Sequence, residues 1–291
     1  MPVRKALMTL MCCLCLVATI GCATSGGLAE QPLRIHLLEE PEHVDDGLED
    51  ALAGLMITLD QVPEKVVERS PDEQLILRYV AGRSVENRAL EYLVIGQGPD
   101  VIFILATIHG NEPAGTPLVL RLAEYLRRHP LMLRGRRLVL VPVANPDGMA
   151  RNRRFNANGV DLNRNFEAAN RLDGGKFGYR ALSEPESRFI HLLLHQYKPD
   201  RIVSVHQPLT CVDYDGPAKA LAECMAEYCD LPVCKLGARP GSLGSYAGET
   251  LGIPIVTFEL PGSAGRLTPE SLWSKYGNAL VALVLYPDLA K

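Results

Sequence analysis

Two imidazoles and two carboxylates, far apart in the chain, share one kind of position. His109 and Glu112 follow the apolar run 101–108, His206 follows the run 202–205, and Glu259 ends the run that starts at 253. Catalytic zinc commonly takes two His and one Glu, leaving a fourth position for water, and a further carboxylate is then needed as the base for that water. His109, Glu112 and His206 are therefore the candidate ligands of one zinc ion per chain, and Glu259 the candidate base. A His-x-x-Glu pair alone is weak evidence. It recurs at His36 and Glu39, in an acidic stretch with no strand before it, where no role is expected. His191 and His195 are spaced like a helical zinc pair, but lack a Glu after the first His and lie among Leu192, Leu193 and Leu194. They are expected to serve helix packing.

The position matters because of the elements that hold it. Continuous apolar runs at 101–108, 138–144, 202–205 and 253–258 predict strands buried on both faces, and 91–96 predicts another. Between them are helix starts. Thr116-Pro117 opens a helix carrying Leu118, Leu120, Leu122 and Leu126, and Ser183-Glu184-Pro185-Glu186 has the form of a capping box with an early proline. Thr268-Pro269-Glu270 starts the last helix, to about residue 285. Strands alternating with helices predict one α/β domain over 74–291, a mixed, largely parallel twisted sheet with helices on both faces. In such open sheets ligands bind at the carboxyl ends of the strands, where the four side chains fall. One segment breaks the pattern. Almost 40 residues between the run ending at Ala144 and Ser183 lack periodicity, and they carry Arg151, Arg153, Arg154, Arg164 and several Asn. Loops beyond about 12–15 residues in compact domains are usually functional or disordered, and this one suits anion binding.

That loop contains Asn145-Pro146-Asp147-Gly148 and, from Arg154, Arg-Phe-Asn-Ala-Asn-Gly-Val-Asp-Leu-Asn-Arg-Asn-Phe. With His-x-x-Glu, the Ser-Glu-Pro-Glu helix start, a strand-end His and a strand-end Glu in this order, residues 75–285 resemble the zinc metallocarboxypeptidases, the carboxypeptidase A-like superfamily. The resemblance implies that superfamily's α/β fold, with His109, Glu112 and His206 as zinc ligands and Glu259 as general acid/base. It implies that Arg154 steadies the developing oxyanion, with Arg151 as the alternative if the register differs. Asn163 and Arg164 match the pair that grips the free carboxylate of the substrate. Physical chemistry agrees, since a guanidinium offers a planar fork to a carboxylate, and fixed positive charge at an oxyanion supplies about 3–4 kcal/mol. The family's closing tyrosine would fall on or near Gly237, and Tyr246 matches a bulky pocket aromatic instead.

Within the superfamily, His206-Gln207-Pro208-Leu209-Thr210-Cys211-Val212-Asp213 and Pro240-Gly241-Ser242-Leu243-Gly244-Ser245-Tyr246 resemble stretches of the murein peptide amidases. That resemblance implies a murein-derived peptide as substrate, cleaved at the γ-D-glutamyl–meso-diaminopimelate bond. Gly241, Ser242, Leu243 and Tyr246 would then shape the pocket. Succinylglutamate desuccinylases and aspartoacylases share the ligand scheme, but the full Gly-Val-Asp-Leu-Asn-Arg-Asn-Phe run favours a peptidase. A binding module that had lost the chemistry would normally lack a ligand or the base.

The whole chain has 291 residues, 30 Lys plus Arg against 34 Asp plus Glu, and is 47% hydrophobic. This is ordinary globular composition, and a pI near 6.0 carries no electrostatic footprint for nucleic acid. Residues 1–21 have a basic start, Arg4 and Lys5, and an apolar core too short to span a bilayer comfortably. Gly21-Cys22 after that core resembles a lipobox, which implies a lipid on Cys22, an inner- or outer-membrane anchor and a place in a bacterial cell envelope facing the periplasm. Plain secretion is the alternative. Removing 1–21 deletes two cations and no acid, taking the formal charge from −4 to −6. Residues 22–73 are acidic and weakly periodic, a tether with one short helix expected near 47–59. Cys211, Cys224, Cys229 and Cys234 allow three disulfide connectivities in an oxidising compartment, and their spacing fits no common zinc ribbon.

Overall fold

A computed structural model describes residues 75–288. The leader, Cys22, His36, the tether and the helix expected near 47–59 lie outside the described residues. Strands β1 (Ile76–Arg83), β2 (Ala89–Gly96), β3 (Asp100–Ala106), β4 (Arg136–Val141), β5 (Arg201–His206), β6 (Leu209–Asp215), β7 (Val233–Cys234) and β8 (Ile255–Pro261) form one sheet. Their order is β1-β2-β4-β3-β5-β8-β6-β7. The central four, β4-β3-β5-β8, are parallel. β2 joins β4, and β6 joins β8, antiparallel. The sheet is therefore mixed with a parallel centre.

The apolar runs became strands because each has two faces to bury. Along β3, Ile102, Ile104 and Ala106 enter one core, and Phe103 and Leu105 enter the other. The first core is closed by helices α1 (Gly115–Arg128), α4 (Lys219–Ala226) and α5 (Pro269–Leu285), through Leu118, Leu122, Met225 and Leu280. The second is closed by α3 (Pro185–Tyr197), by residues of the long loop and by a π-helix at Gly244–Thr250, through Phe166, Phe189, Leu193 and Tyr246. Each such side chain contributes about 1.5–3 kcal/mol on burial, which anchors the strand ends that carry the site. No helix among the described residues is long and apolar enough to cross a membrane.

Two helix starts differ from expectation. α1 begins at Gly115, one residue before Thr116, and no side chain caps it. A Cβ at Gly115 would lie 2.8 Å from that of Ala106 and 2.9 Å from Val205, so glycine lets the helix seat on β3 and β5. Thr116 instead donates to the Pro142 carbonyl at 2.8 Å and pairs with the Thr107 hydroxyl at 2.8 Å. At α3 no side chain caps the helix either. Ser183 donates to Glu184 Oε1, while Glu184 and Glu186 accept from Asn156, and Glu184 also accepts from Asn158. The motif clamps the long loop rather than the helix end. α5 starts as expected, with Thr268 accepting from the Ser271 amide at 3.2 Å.

The long loop has local order of its own. It contains a one-turn helix, α2 (Pro146–Ala150), and two 3₁₀ turns at Leu162–Arg164 and Gly175–Phe177. At the far edge, Cys211 on β6 is bonded to Cys234 on β7, while Cys224 and Cys229 are free.

Candidate metal centre and substrate cavity

β3, β5 and β8 all end at one edge of the sheet. After β3, Thr107 takes a positive φ of 54°, a conformation β-branched residues rarely adopt, and the chain turns to place His109. The turn is held by the Asn145 amide on the Thr107 carbonyl and by the Thr107–Thr116 pair. Glu112 lies in the turn that follows, with its amide on the His109 carbonyl at 3.0 Å. His206 ends β5, in register with Glu259 on β8.

Ligand atoms of His109, Glu112 and His206 all lie within 4.8 Å of one another, and all three residues are buried. Glu112 Oε1 is 2.9 Å from His109 Nδ1, and its Oε2 is 3.0 Å from His206 Nδ1. His109 Nε2 is 3.0 Å from Asp161 Oδ1. A carboxylate only accepts, so Nε2 carries the proton and Nδ1 presents a lone pair. That Nδ1 is buried with no hydrogen bond, despite its closeness to Glu112. Two acceptors side by side, with no proton aligned between them, suit a cation that both could ligate. Two imidazoles and one carboxylate are a donor set for zinc.

The charges are tuned by these contacts. Burial pushes Glu112 up, but the adjoining His109 and His206 imidazoles outweigh it and hold the carboxyl below its usual range. Burial likewise opposes, and the His109 hydrogen bond overcomes, so Asp161 is also held low. Glu259 differs. Burial raises its pKa, offset only partly by the His206 charge and by the Leu209 amide, which donates to Oε2 at 3.2 Å. A carboxylate with raised proton affinity beside a metal centre can accept and return a proton.

The long loop supplies the arginines. Arg154 reaches Glu112 Oε1 at 3.1 Å and Asp161 Oδ2 at 3.0 Å. Its carbonyl accepts from the Gly110 amide and from Asn145 Nδ2, which fixes the loop against the turn of His109. Arg151, the alternative, pairs with Glu86 away from the centre. Asp161 accepts from the Asn163 amide at the start of the 3₁₀ turn that presents Asn163 and Arg164.

His109, Glu112, His206, Glu259, Arg154, Asn163, Arg164 and Ser242 all line one cavity of about 170 Å³. A larger cavity, about 570 Å³, lies between α1, α2 and the strands on the β1 side, and it brings no comparable set together. The pocket loop needs correction. Gly241, Leu243 and Tyr246 do not line the cavity but sit behind it. The Gly241 carbonyl accepts from the Phe166 amide, and the Leu243 amide donates to Asn163 Oδ1 at 2.8 Å, so they brace the arginine loop. Tyr246 is 3% exposed, stacks on Phe166 and places its hydroxyl 2.9 Å from both His191 Nδ1 and His195 Nε2. The aromatic ring and its polar tip are both spent on packing, which also accounts for the two histidines. Gly237 lines the cavity where the family tyrosine was expected.

Residues that sequence reasoning passed over also serve this site, Asp161 from behind His109. Asp161 lay unassigned within the Gly-Val-Asp-Leu-Asn-Arg-Asn-Phe run, although a buried metal-ligating His needs an acceptor for its second nitrogen. Asp213, Asp215, Arg239 and Thr257 line the cavity as well. The period-two spacing of Cys211, Asp213 and Asp215 was the available signal for a strand with a polar face.

Comparison with known proteins agrees with this geometry. The zinc carboxypeptidase family profile matches residues 62–211. The chain is 37% identical over 176 residues to murein peptide amidase A of Escherichia coli (strain K12), covering 54% of this chain and 70% of that protein. It is 32% identical over 205 residues to murein peptide amidase A of Vibrio campbellii, covering 64% of this chain and 78% of the relative. Among solved structures it resembles murein-tripeptide amidase from Escherichia coli O157, with a TM-score of 0.58 at 29% identity, over 72% of this chain and 92% of that one. Carboxypeptidase A from Helicoverpa armigera shares the fold, with a TM-score of 0.59 at 21% identity, over 75% of this chain and 70% of that one. With this much of its length matched and a His-Glu-His centre at the strand ends, the chain belongs to the zinc carboxypeptidase family and is a zinc metallopeptidase.

Proposed function

We propose that this metallopeptidase hydrolyses the γ-D-glutamyl–meso-diaminopimelate bond of murein-derived peptides. The observation that carries the reading is the cavity itself, which brings the zinc donors, Glu259, Asn163 and Arg164 together. The names of the relatives, murein peptide amidase A in two bacteria, support the substrate class.

His109, Glu112 and His206 would hold the zinc, which when bound acidifies a water molecule and polarises the scissile carbonyl. Glu259 takes the proton from the attacking water and returns it to the departing amine, a task that its burial-raised proton affinity suits. Arg154, fixed between Glu112 and Asp161, presents positive charge where the carbonyl oxygen becomes an oxyanion. Arg164 has no carboxylate partner within ion-pair distance among the described residues and donates only from Nη1 to the Asn163 carbonyl, so its remaining N–H groups can take the α-carboxylate of diaminopimelate. Asp161 holds the His109 tautomer.

Export belongs to the same reading. A basic, apolar, Gly21-Cys22 leader supports lipidation at Cys22 and a periplasm-facing envelope location, and the Cys211–Cys234 bond suits an oxidising compartment. The deciding experiment is metal analysis with murein-tripeptide hydrolysis, for wild type and Glu259→Gln. The expected result is about one zinc per chain in both and turnover only in the wild type. Undiminished turnover in the variant removes Glu259 from the reaction, and trimming of ordinary peptides without release of diaminopimelate removes the substrate assignment.

A further inference from the structure

The cavity continues past the metal centre along the face shared by β6 and β8. These strands pair antiparallel, with Cys211 opposite Glu259, Asp213 opposite Thr257 and Asp215 opposite Ile255. Period two turns Asp213 and Asp215 to the side of Glu259 and Thr257, and turns Val212 and Tyr214 to the opposite core. Asp213 is 5% exposed and Asp215 4%, and both line the cavity.

Their charge is poorly answered by the protein. Asp213 Oδ1 accepts from the Leu236 amide at 2.7 Å, and its Oδ2 has no hydrogen-bond partner among the described residues. Asp215 Oδ1 is 3.4 Å from Lys235 Nζ, and its Oδ2 has no partner either. Lys235 is divided, because its ammonium also lies over the Tyr214 ring on the other face and within 3.8 Å of Glu249. Gly244 keeps the acidic wall open. A Cβ there would lie 2.1 Å from Asp215 Oδ2. Two buried carboxylates on one strand face, of which only Asp215 reaches an ammonium and each has one oxygen unpaired, are costly unless a cation completes them.

The opposite charge stands at the rim. Arg239 lines the same cavity, is exposed, and makes no ion pair among the described residues. It is close enough to Arg164 for their charges to oppose, after burial, Arg164's hold on its proton. The cavity thus presents two arginines and two aspartates in addition to the reacting groups.

We propose that this wall is a specificity subsite for a side chain ending in both an ammonium and a carboxylate. Asp213 and Asp215 hold the ammonium and Arg239 the carboxylate, while Arg164 holds the carboxylate next to the cleaved bond. The inference rests on the hydrolase reading above and deepens it, since it assigns residues to the second amino-carboxyl end of the leaving amino acid.

The test uses four γ-D-glutamyl peptides differing only in the last residue: meso-diaminopimelate, lysine (ammonium alone), 2-aminopimelate (carboxylate alone) and norleucine (neither). Polar groups left unpaired in a binding site discriminate strongly, so wild-type kcat/KM for diaminopimelate should exceed that for norleucine by about 100-fold or more. Asp213→Asn and Asp215→Asn should collapse the ratio of diaminopimelate to 2-aminopimelate, and Arg239→Gln the ratio of diaminopimelate to lysine. Calorimetric binding of free meso-diaminopimelate and norleucine to the wild type reads the same preference without any variant. Equal turnover of all four peptides, or variants that lower all four in proportion, overturns the subsite and leaves the hydrolase standing. Selective binding with no turnover of any peptide by the zinc-loaded enzyme supports the subsite and overturns the reaction instead.

Discussion

Asp161→Asn separates the zinc ligand from the residue that holds it. In the native protein, Asp161 Oδ1 accepts from His109 Nε2 at 3.0 Å and Oδ2 accepts from Arg154 Nε at 3.0 Å. The amide keeps the volume but must turn an NH₂ toward one of these donors. If it faces His109, the ring reverses its tautomer and the proton moves to Nδ1, which then has no lone pair for a metal. If it faces Arg154, two donors meet and the guanidinium is released. Loss of a carboxylate behind a metal-ligating His typically weakens metal binding about 10- to 100-fold, or about 1.4–2.7 kcal/mol. The burial of His109, 3% exposed, places the effect toward the upper end, because water cannot replace the lost acceptor. Zinc competition against a chromophoric chelator at fixed pH measures it. A second effect should appear at saturating zinc, where freed Arg154 lowers kcat. Zinc affinity within about two-fold of wild type would mean that Nε2 does not set the tautomer, and the reasoning would be refuted.

Two further outcomes follow from groups outside the centre. The Cys211–Cys234 bond closes a loop with a sequence separation of 23 at the edge of the sheet, so its removal in the double Cys→Ser variant should lower unfolding stability by about 3 kcal/mol. An unchanged urea midpoint would show that β6 and β7 are held without it. His191, beside the Tyr246 hydroxyl, is held below its ordinary value of 6.5 by burial and by the His195 charge. The unfolded side chain then takes up its proton first, so the stability this group contributes is complete above pH 6.5 and is lost as pH falls through it. An NMR titration midpoint for His191 at or above 6.5 contradicts this.

What the sequence disclosed, it disclosed through periodicity and strand ends. The doubly buried runs of β3, β4, β5 and β8 need no partner information to be recognised, because apolar residues dominate both of their faces, and the four reacting side chains follow from asking what comes at or after their ends. β6 was hidden for the opposite reason. Its inward positions are Cys211, Asp213 and Asp215, so a strand that serves the cavity looks like a polar loop until its pairing with β8 is known. β1, an edge strand with half of its residues exposed, offers little hydrophobic pattern at all. Tyr246 shows a different limit. Its place in a motif suggests a pocket wall, but whether a ring faces a cavity or His191 and His195 depends on a π-helical turn that local spacing does not encode.

The aperiodic loop makes the general point in physical terms. Its few buried apolar residues, such as Leu162 and Phe166, dock it on the second core, yet Arg154, Asn163 and Arg164 must be placed to within an ångström or so of the centre. The structure does this with buried amides and carboxylates. Asn145 holds the Arg154 and Ile108 carbonyls, Asn156 and Asn158 hold Glu184, and Asn165 holds the Phe177 and Arg180 carbonyls. Each bond contributes about 1 kcal/mol net, but each buried partner left alone would cost more. The asparagines that read in the sequence as ordinary loop residues are therefore the fasteners of the site, and the Ser-Glu-Pro-Glu element at α3 is their anchor. A loop held in this way can carry charged groups toward a substrate without a hydrophobic core of its own, which is why function and disorder look alike in its composition and differ only in where the side-chain hydrogen bonds go.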